Sequence, residues 1–234
     1  MLWGKLMSDQ DAVPLSLQMP TGGAVSALLL APRGARTCFV FAHGAGAGMA
    51  HAFMQATARG LAERGIASLR YQFPYMERGS KRPDAPALAH ATVRAAVAEA
   101  ARQLPQLPLI AGGRSFGGRM TSQAQAAESL CGVRGLVFLG FPLHPAGRPS
   151  IERAAHLARV ACPMLFVQGT RDELADAALL QPVLDGLSDR ATLLALQDAD
   201  HAFHMPAKSG RKDADVLAHA LDDVAEWVDM HILR

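Results

Sequence analysis

Apolar residues along the chain alternate between two textures. Short runs such as TCFVFAH (37–43), IASLRYQF (66–73), LPLIAGG (107–113), VRGLVFLG (133–140), CPMLFVQG (162–169) and ATLLALQD (191–198) have the length and β-branched or aromatic content of strands. Where a run is not broken by polar residues, it suits a strand covered on both faces. Between the runs the period lengthens. HAFMQATARGLAERG (51–65) reads as a helix ending at Gly65, followed by Ala-rich and Gly-started helices over about 86–103 and 117–128. Asp84 is the expected cap of the first of these two. Val216, Leu217, Ala220, Leu221, Val224, Trp227 and Val228 form a final amphipathic stripe. At the front, 13–19 and 24–31 are joined by Pro20-Thr21-Gly22-Gly23 and predict a hairpin. The pattern predicts an α/β fold: a mostly parallel eight-stranded sheet with helices on both faces. It occupies a single domain, 13–234, behind a poorly ordered N-terminal tail, 1–12.

Composition narrows the class. The chain has 234 residues, half of them apolar and 19% charged, with a formal net charge of +2, as expected of a globular protein. Basic residues are scattered and no basic run is interleaved with aromatics, which argues against a nucleic-acid partner. No apolar run approaches the length of a membrane span, and the N-terminus lacks the apolar core of a signal peptide, so a cytoplasmic location is expected. Cys38, Cys131 and Cys162 are few and odd in number, and read as reduced, buried thiols.

In a parallel sheet of this kind, chemistry gathers beyond the C-terminal ends of the strands. Directly after one such strand, IAGGRSFGGRM (110–120) places Gly112, Gly113, Gly117 and Gly118 around Ser115. Gly113-Arg114-Ser115-Phe116-Gly117 fits G-x-S-x-G in the strand–turn–helix context that gives the motif meaning. The glycines clear space for a tight turn on which one hydroxyl stands out. A serine needs a base and the base an orienting carboxylate. Asp172 follows the strand ending in FVQG, and His201 follows the next strand, in the order serine, acid, histidine. Asp176, Asp198 and Asp200 are weaker acid candidates and His204 the alternative base. Asp172 could instead cap the helix that follows it. The loop FAHGAGAG (41–48) offers backbone donors for an oxyanion, Ala45 joining Phe116, while His43 reads as a structural histidine. His201, His204, Asp198 and Asp200 could alternatively be imagined as metal ligands, but no spaced ligand motif supports this, and no metal or cofactor is expected.

HGAGAG, GGRSFGG, FPLHPAG, QGTRD and DHAF, in this order, resemble the α/β-hydrolase superfamily, and within it the small dienelactone-hydrolase-like branch. FPLHPAGRP and RYQFPYME resemble most the hydrolases related to testis-expressed and NSL-complex-type proteins. The resemblance implies Ser115 as nucleophile, Asp172 as acid, His201 as base, and Phe116 and Ala45 as oxyanion donors. Dienelactone hydrolase itself uses a cysteine, so the serine here argues against dienelactone as substrate. The expected activity is hydrolysis of esters or thioesters of small to medium acyl groups through an acyl-enzyme. A peptidase with the same triad and a non-catalytic module on the same fold are the alternatives. The stretch 141–160, where larger relatives carry a cap, is too short for a lid. Phe73, Pro74, Tyr75, Phe141, Leu143, Phe203 and Met205 are the expected apolar pocket wall, with His144 and Arg119 as supporting residues.

Overall fold

A computed structural model describes residues 11–20 and 22–234. Most of the tail expected at 1–12 lies outside the described residues. Eight strands form one sheet in the order β1-β2-β4-β3-β5-β6-β7-β8. β1 (Val13–Gln18) and β2 (Ala24–Leu30) make the antiparallel hairpin, and β2 runs antiparallel to β4 (Ile66–Tyr71). From β4 onward every pairing is parallel: β3 (Thr37–Ala42), β5 (Leu109–Arg114), β6 (Val133–Leu139), β7 (Met164–Gly169) and β8 (Ala191–Leu196). β3, β4 and β7 are buried at every position, which is why their sequences carry no alternation.

The helices are α1 (Ala52–Glu63), the single turn α2 (Pro74–Glu77), α3 (Pro86–Gln103), α4 (Phe116–Ala127), α5 (Ala177–Asp185) and α6 (Asp213–His231). They divide the core between the two faces of the sheet. One apolar cluster joins α3 and α4 to the sheet, and the other joins α1 and α6 to it through Phe39, Phe41, Val167 and Trp227. α3 departs from expectation at its start. Its cap is Ala85, with Pro86 opening the helix, and Asp84 instead accepts hydrogen bonds from the Tyr75 N–H (2.8 Å) and Arg78 (2.7 Å). Pro at the first helical position presets φ and removes one of the unpaired donors, and the helix starts without a side-chain cap. The thiols also differ from expectation: Cys38 is buried and Cys162 half-buried, but Cys131 is exposed, because it sits in the turn before β6.

α4 approaches the sheet unusually closely. A Cβ at Gly117 would lie 2.5 Å from the His43 carbonyl oxygen and 2.7 Å from the Ala42 Cβ. At Gly113 it would lie 2.3 Å from the Ala42 oxygen, and at Gly112 1.9 Å from the Val137 oxygen. The glycines are therefore a packing requirement of the β5–α4 junction. No other residue type fits.

The β6–β7 connection crosses beside α4 as a 3-10 segment, Glu152–Arg159, with no room for a lid domain. It is fastened by buried His156, whose Nε2 lies 2.7 Å from Ser122 Oγ on α4 and whose ring also bonds to the Arg153 backbone. Burial, then the charges of Arg119, Arg159 and His90, push the His156 pKa from 6.5 down to about 4. Unfolding releases that histidine to take up a proton. Its contribution to stability is therefore complete above pH 6.5 and is lost as pH falls toward 4. Urea midpoints measured from pH 7 to 4 should decline across this window, and His156→Gln should flatten the decline. An unchanged pH dependence in the variant would contradict the assignment.

Candidate active site

Ser115 lies between the last residue of β5 and the first of α4, at φ 47° and ψ −115°. A non-glycine residue in this region is strained by about 1–3 kcal/mol and persists only where its surroundings hold it. Two backbone bonds do so: Ser115 N donates to the Leu139 carbonyl (3.3 Å), and Ser115 O accepts from the Arg119 N–H (3.1 Å). The strain turns the hydroxyl out of the helix.

Three side chains from three strand ends then meet. His201 Nε2 is 2.9 Å from Ser115 Oγ, and His201 Nδ1 is 2.7 Å from Asp172 Oδ2. A neutral imidazole satisfies both contacts when Nδ1 carries the proton toward the carboxylate and Nε2 accepts from the serine. The Asp172 carboxylate is buried, whereas the imidazole is about a quarter exposed, with 23% of its surface accessible. The buried carboxylate accepts from the Leu174 N–H (2.8 Å) and from Gln168 Nε2, while Gln168 Oε1 accepts from the Phe141 N–H (2.9 Å). Gln168 is a polar side chain one residue before the end of the otherwise apolar β7. That break was the available sequence signal, and sequence reasoning gave it no role.

The histidine loop is held from several sides. Asp200 Oδ1 accepts from the Ala202 and His204 N–H groups, at 2.7 and 2.9 Å. Arg114 Nη2 donates to the His201 carbonyl (3.3 Å), its guanidinium lying 4.2 Å over the Phe53 ring, which packs edge-on against Phe203. Gly140, at φ 75°, leaves room for the imidazole: a Cβ there would lie 3.4 Å from its Cε1. Arg114 was visible in the sequence only as a variable position of the G-x-S-x-G motif.

The remaining candidates fall elsewhere. Asp176 caps α5, accepting from the Ala178 N–H (2.8 Å), so the capping role weighed for Asp172 belongs to Asp176. Asp198 sits in the turn after β8 at φ 64°, with its N–H on Thr170 Oγ1. His204 is exposed and pairs with Asp213 through Nδ1 (2.7 Å), which raises its pKa. Among the described residues, no cluster of three or more histidine, cysteine, aspartate or glutamate side chains is arranged to hold a metal. His144 bonds through Nδ1 to the Pro145 carbonyl and accepts the Asp176 N–H at Nε2, tying the β6–β7 connection to the acid loop.

The loop after β3 presents its backbone beside Ser115. Buried His43 bonds to the Gly44 carbonyl through Nδ1 (2.8 Å) and accepts the Phe73 N–H at Nε2 (3.0 Å); burial lowers its pKa and keeps it neutral. The Gly46 N–H is taken by the Tyr75 hydroxyl (3.2 Å), and the Ala47 N–H by the Gly44 carbonyl (3.4 Å). Ala45 is exposed, and its N–H has no protein acceptor among the described residues. Phe116 opens α4, so its N–H has none within the helix.

The expected pocket wall needs correction. Phe73, Tyr75, Phe141 and Leu143 are fully buried, as are Pro74, Phe203 and Met205 to within a few per cent. Phe73 and Tyr75 pack edge-on against Phe116, and Phe141 against Phe138 and Phe166. Aromatic side chains gain most by burying their whole area, and these loops turn them inward. Phe73, Tyr75, Phe141 and Leu143 belong to one apolar core and Phe203 and Met205 to the other, so they do not form an exposed wall.

A model of the alpha/beta hydrolase domain matches residues 35–229. The chain belongs to the α/β-hydrolase family. Its solved relatives include an α/β serine hydrolase without a lid from Xanthomonas campestris, 25% identical with a TM-score of 0.72 over 93% of this chain and 95% of that one. Dienelactone hydrolase from Anabaena variabilis is 22% identical, with a TM-score of 0.77 over 95% and 98% of the two chains. The esterase domain of a Rhodothermus marinus protein is 16% identical, with a TM-score of 0.70 over 93% and 97%. The last two share the hydrolase fold. No helix among the described residues is long and apolar enough to cross a membrane.

Gln168 is the test of how the site is supported. Gln168→Ala removes a donor to a buried carboxylate and the acceptor of a buried N–H, and should cost about 1–3 kcal/mol. The urea midpoint should fall with the m-value unchanged. A loss under about 0.5 kcal/mol, the range of an ordinary surface change, would show that the bridge is not needed.

Proposed function

We propose that the protein is a serine hydrolase cleaving carboxylic ester or thioester bonds of small to medium acyl substrates. The observation that carries this reading is the continuous chain from Ser115 Oγ through His201 to buried Asp172, at 2.9 and 2.7 Å. Ser115 Oγ attacks the substrate carbonyl as His201 Nε2 takes its proton. Asp172 holds the Nδ1–H and stabilises the imidazolium. The oxyanion of the tetrahedral intermediate is received by the N–H groups of Phe116 and Ala45, the one already free at a helix start and the other left free in its loop. Collapse expels the alkoxide or thiolate, which leaves with the proton from His201. Water, deprotonated by the same imidazole, then attacks the acyl-serine and returns Ser115 to the hydroxyl.

The short β6–β7 connection supports an open site suited to small or flexible esters, and the absence of a gating domain from the described residues weighs against a peptidase. Kinship with the testis-expressed and NSL-complex-type proteins remains part of this proposal and rests on FPLHPAGRP and RYQFPYME.

Hydrolysis of p-nitrophenyl esters by purified variants tests the assignment. Ser115→Ala and His201→Ala should lower kcat by about 10⁴-fold or more. His204→Ala and Asp176→Asn should stay within a few-fold of the parent, and exhaustive chelation should leave the rate unchanged. Retained activity in Ser115→Ala, or loss on chelation restored by zinc, would reject the mechanism.

A further inference from the structure

Arg119 makes no hydrogen bond or ion pair through its guanidinium among the described residues, and its Nε is buried without a partner. It lies four residues after Ser115, one helical turn along the same face, with its N–H on the Ser115 carbonyl. Long side chains on a helix lean back toward its N-terminus. Arg119 does so: its guanidinium carbon lies 5.9 Å from the centre of the Phe116 ring, at the level of the residue after the serine.

A second cation stands close by. Arg153, on the 3-10 segment, is near enough for its charge to oppose that of Arg119. His156 fixes this proximity by clamping the segment to α4 through Ser122 and the Arg153 backbone. His90 on α3 and His156 are both held toward the neutral form, by burial first and then by neighbouring cations including Arg119. Among the described residues no carboxylate pairs with Arg119 or Arg153: Glu128, after the end of α4, pairs with Arg94, and Glu152, beside Arg153 on the chain, is exposed and forms no ion pair. A partly desolvated guanidinium without a counter-charge is costly, and its planar fork matches a carboxylate. Neither guanidinium is hydrogen-bonded to the His201 loop, which packs on Arg114, Phe53 and Gly140. Because His201 must reach the leaving group, the opposite side belongs to the acyl chain.

We infer that Arg119 and Arg153 form an anion subsite beside Ser115, and that the preferred substrate is an ester whose acyl chain ends in a carboxylate. This deepens, and rests on, the serine-hydrolase reading above. The test compares kcat/KM for p-nitrophenyl butyrate with that for mono-p-nitrophenyl glutarate. The wild-type protein should prefer the glutarate ester. Arg119→Gln and Arg153→Gln should lower the glutarate-to-butyrate ratio at least about tenfold, roughly one charge-assisted hydrogen bond. Arg119→Lys should recover part of it, and Arg102→Gln, a distant exposed site, should leave the ratio unchanged. Absence of a wild-type preference, or equal losses on both esters, would overturn the subsite. A second readout is independent of turnover: free glutarate should raise the Tm of the wild type and not that of Arg119→Gln. If neither ester turns over, the hydrolase reading fails, and the glutarate shift alone decides the subsite, its absence overturning it.

Discussion

The close approach of α4 to the backbones of β3 and β5 is the constraint on which the rest of the site depends. With no side chain allowed at Gly113 or Gly117, the helix starts almost against the sheet, and the single residue between strand and helix has to turn outward. That residue is Ser115. Its strained backbone is tolerated because the helix hydrogen bond from Arg119 and the sheet-side bond to Leu139 fix both of its peptide groups. The same turn frees the Phe116 N–H at the helix start, so one packing decision supplies both an exposed hydroxyl and a donor beside it.

A second layer keeps the three side chains in register. Gln168 joins the Asp172 carboxylate to the Phe141 backbone, Arg114 joins the strand before Ser115 to the His201 carbonyl, and the Tyr75 hydroxyl takes the Gly46 N–H. Neutral His43 braces the loop after β3 against Phe73, and neutral His156 braces the β6–β7 crossing against α4. Gln168, His43 and His156 are each satisfied on two sides, the condition under which buried polar groups add rigidity. The site is therefore carried by elements from β3 to α4 on one side and from β6 to the His201 loop on the other.

Most of the architecture was legible in the chain because buried parallel strands and amphipathic helices differ in period. Ser115, Asp172 and His201 could be picked out because each falls just beyond a strand, although 86 residues separate the first from the last. Asp84 was misread because its carboxylate is taken by the Tyr75 N–H and Arg78, a tertiary choice local propensity does not reveal. The aromatic residues 73, 75, 141 and 203 were legible as apolar but not as inward-facing, since loop direction is set by tertiary packing. Gln168 and Arg114 were silent for a related reason: the Phe141 N–H bonded by Gln168 lies 27 residues away and the His201 carbonyl bonded by Arg114 lies 87 away, and only the assembled sheet brings them together.

The proposed mechanism rests on a covalent bond formed by Ser115 during the reaction. Rapid quenching of the protein with a slowly deacylated p-nitrophenyl ester, followed by intact-mass and peptide mass spectrometry, tests it directly. A single added acyl group is expected on the peptide containing Ser115, absent in Ser115→Ala. Ester turnover with no adduct under conditions where the p-nitrophenol burst is complete, or an adduct on a different residue, would contradict it.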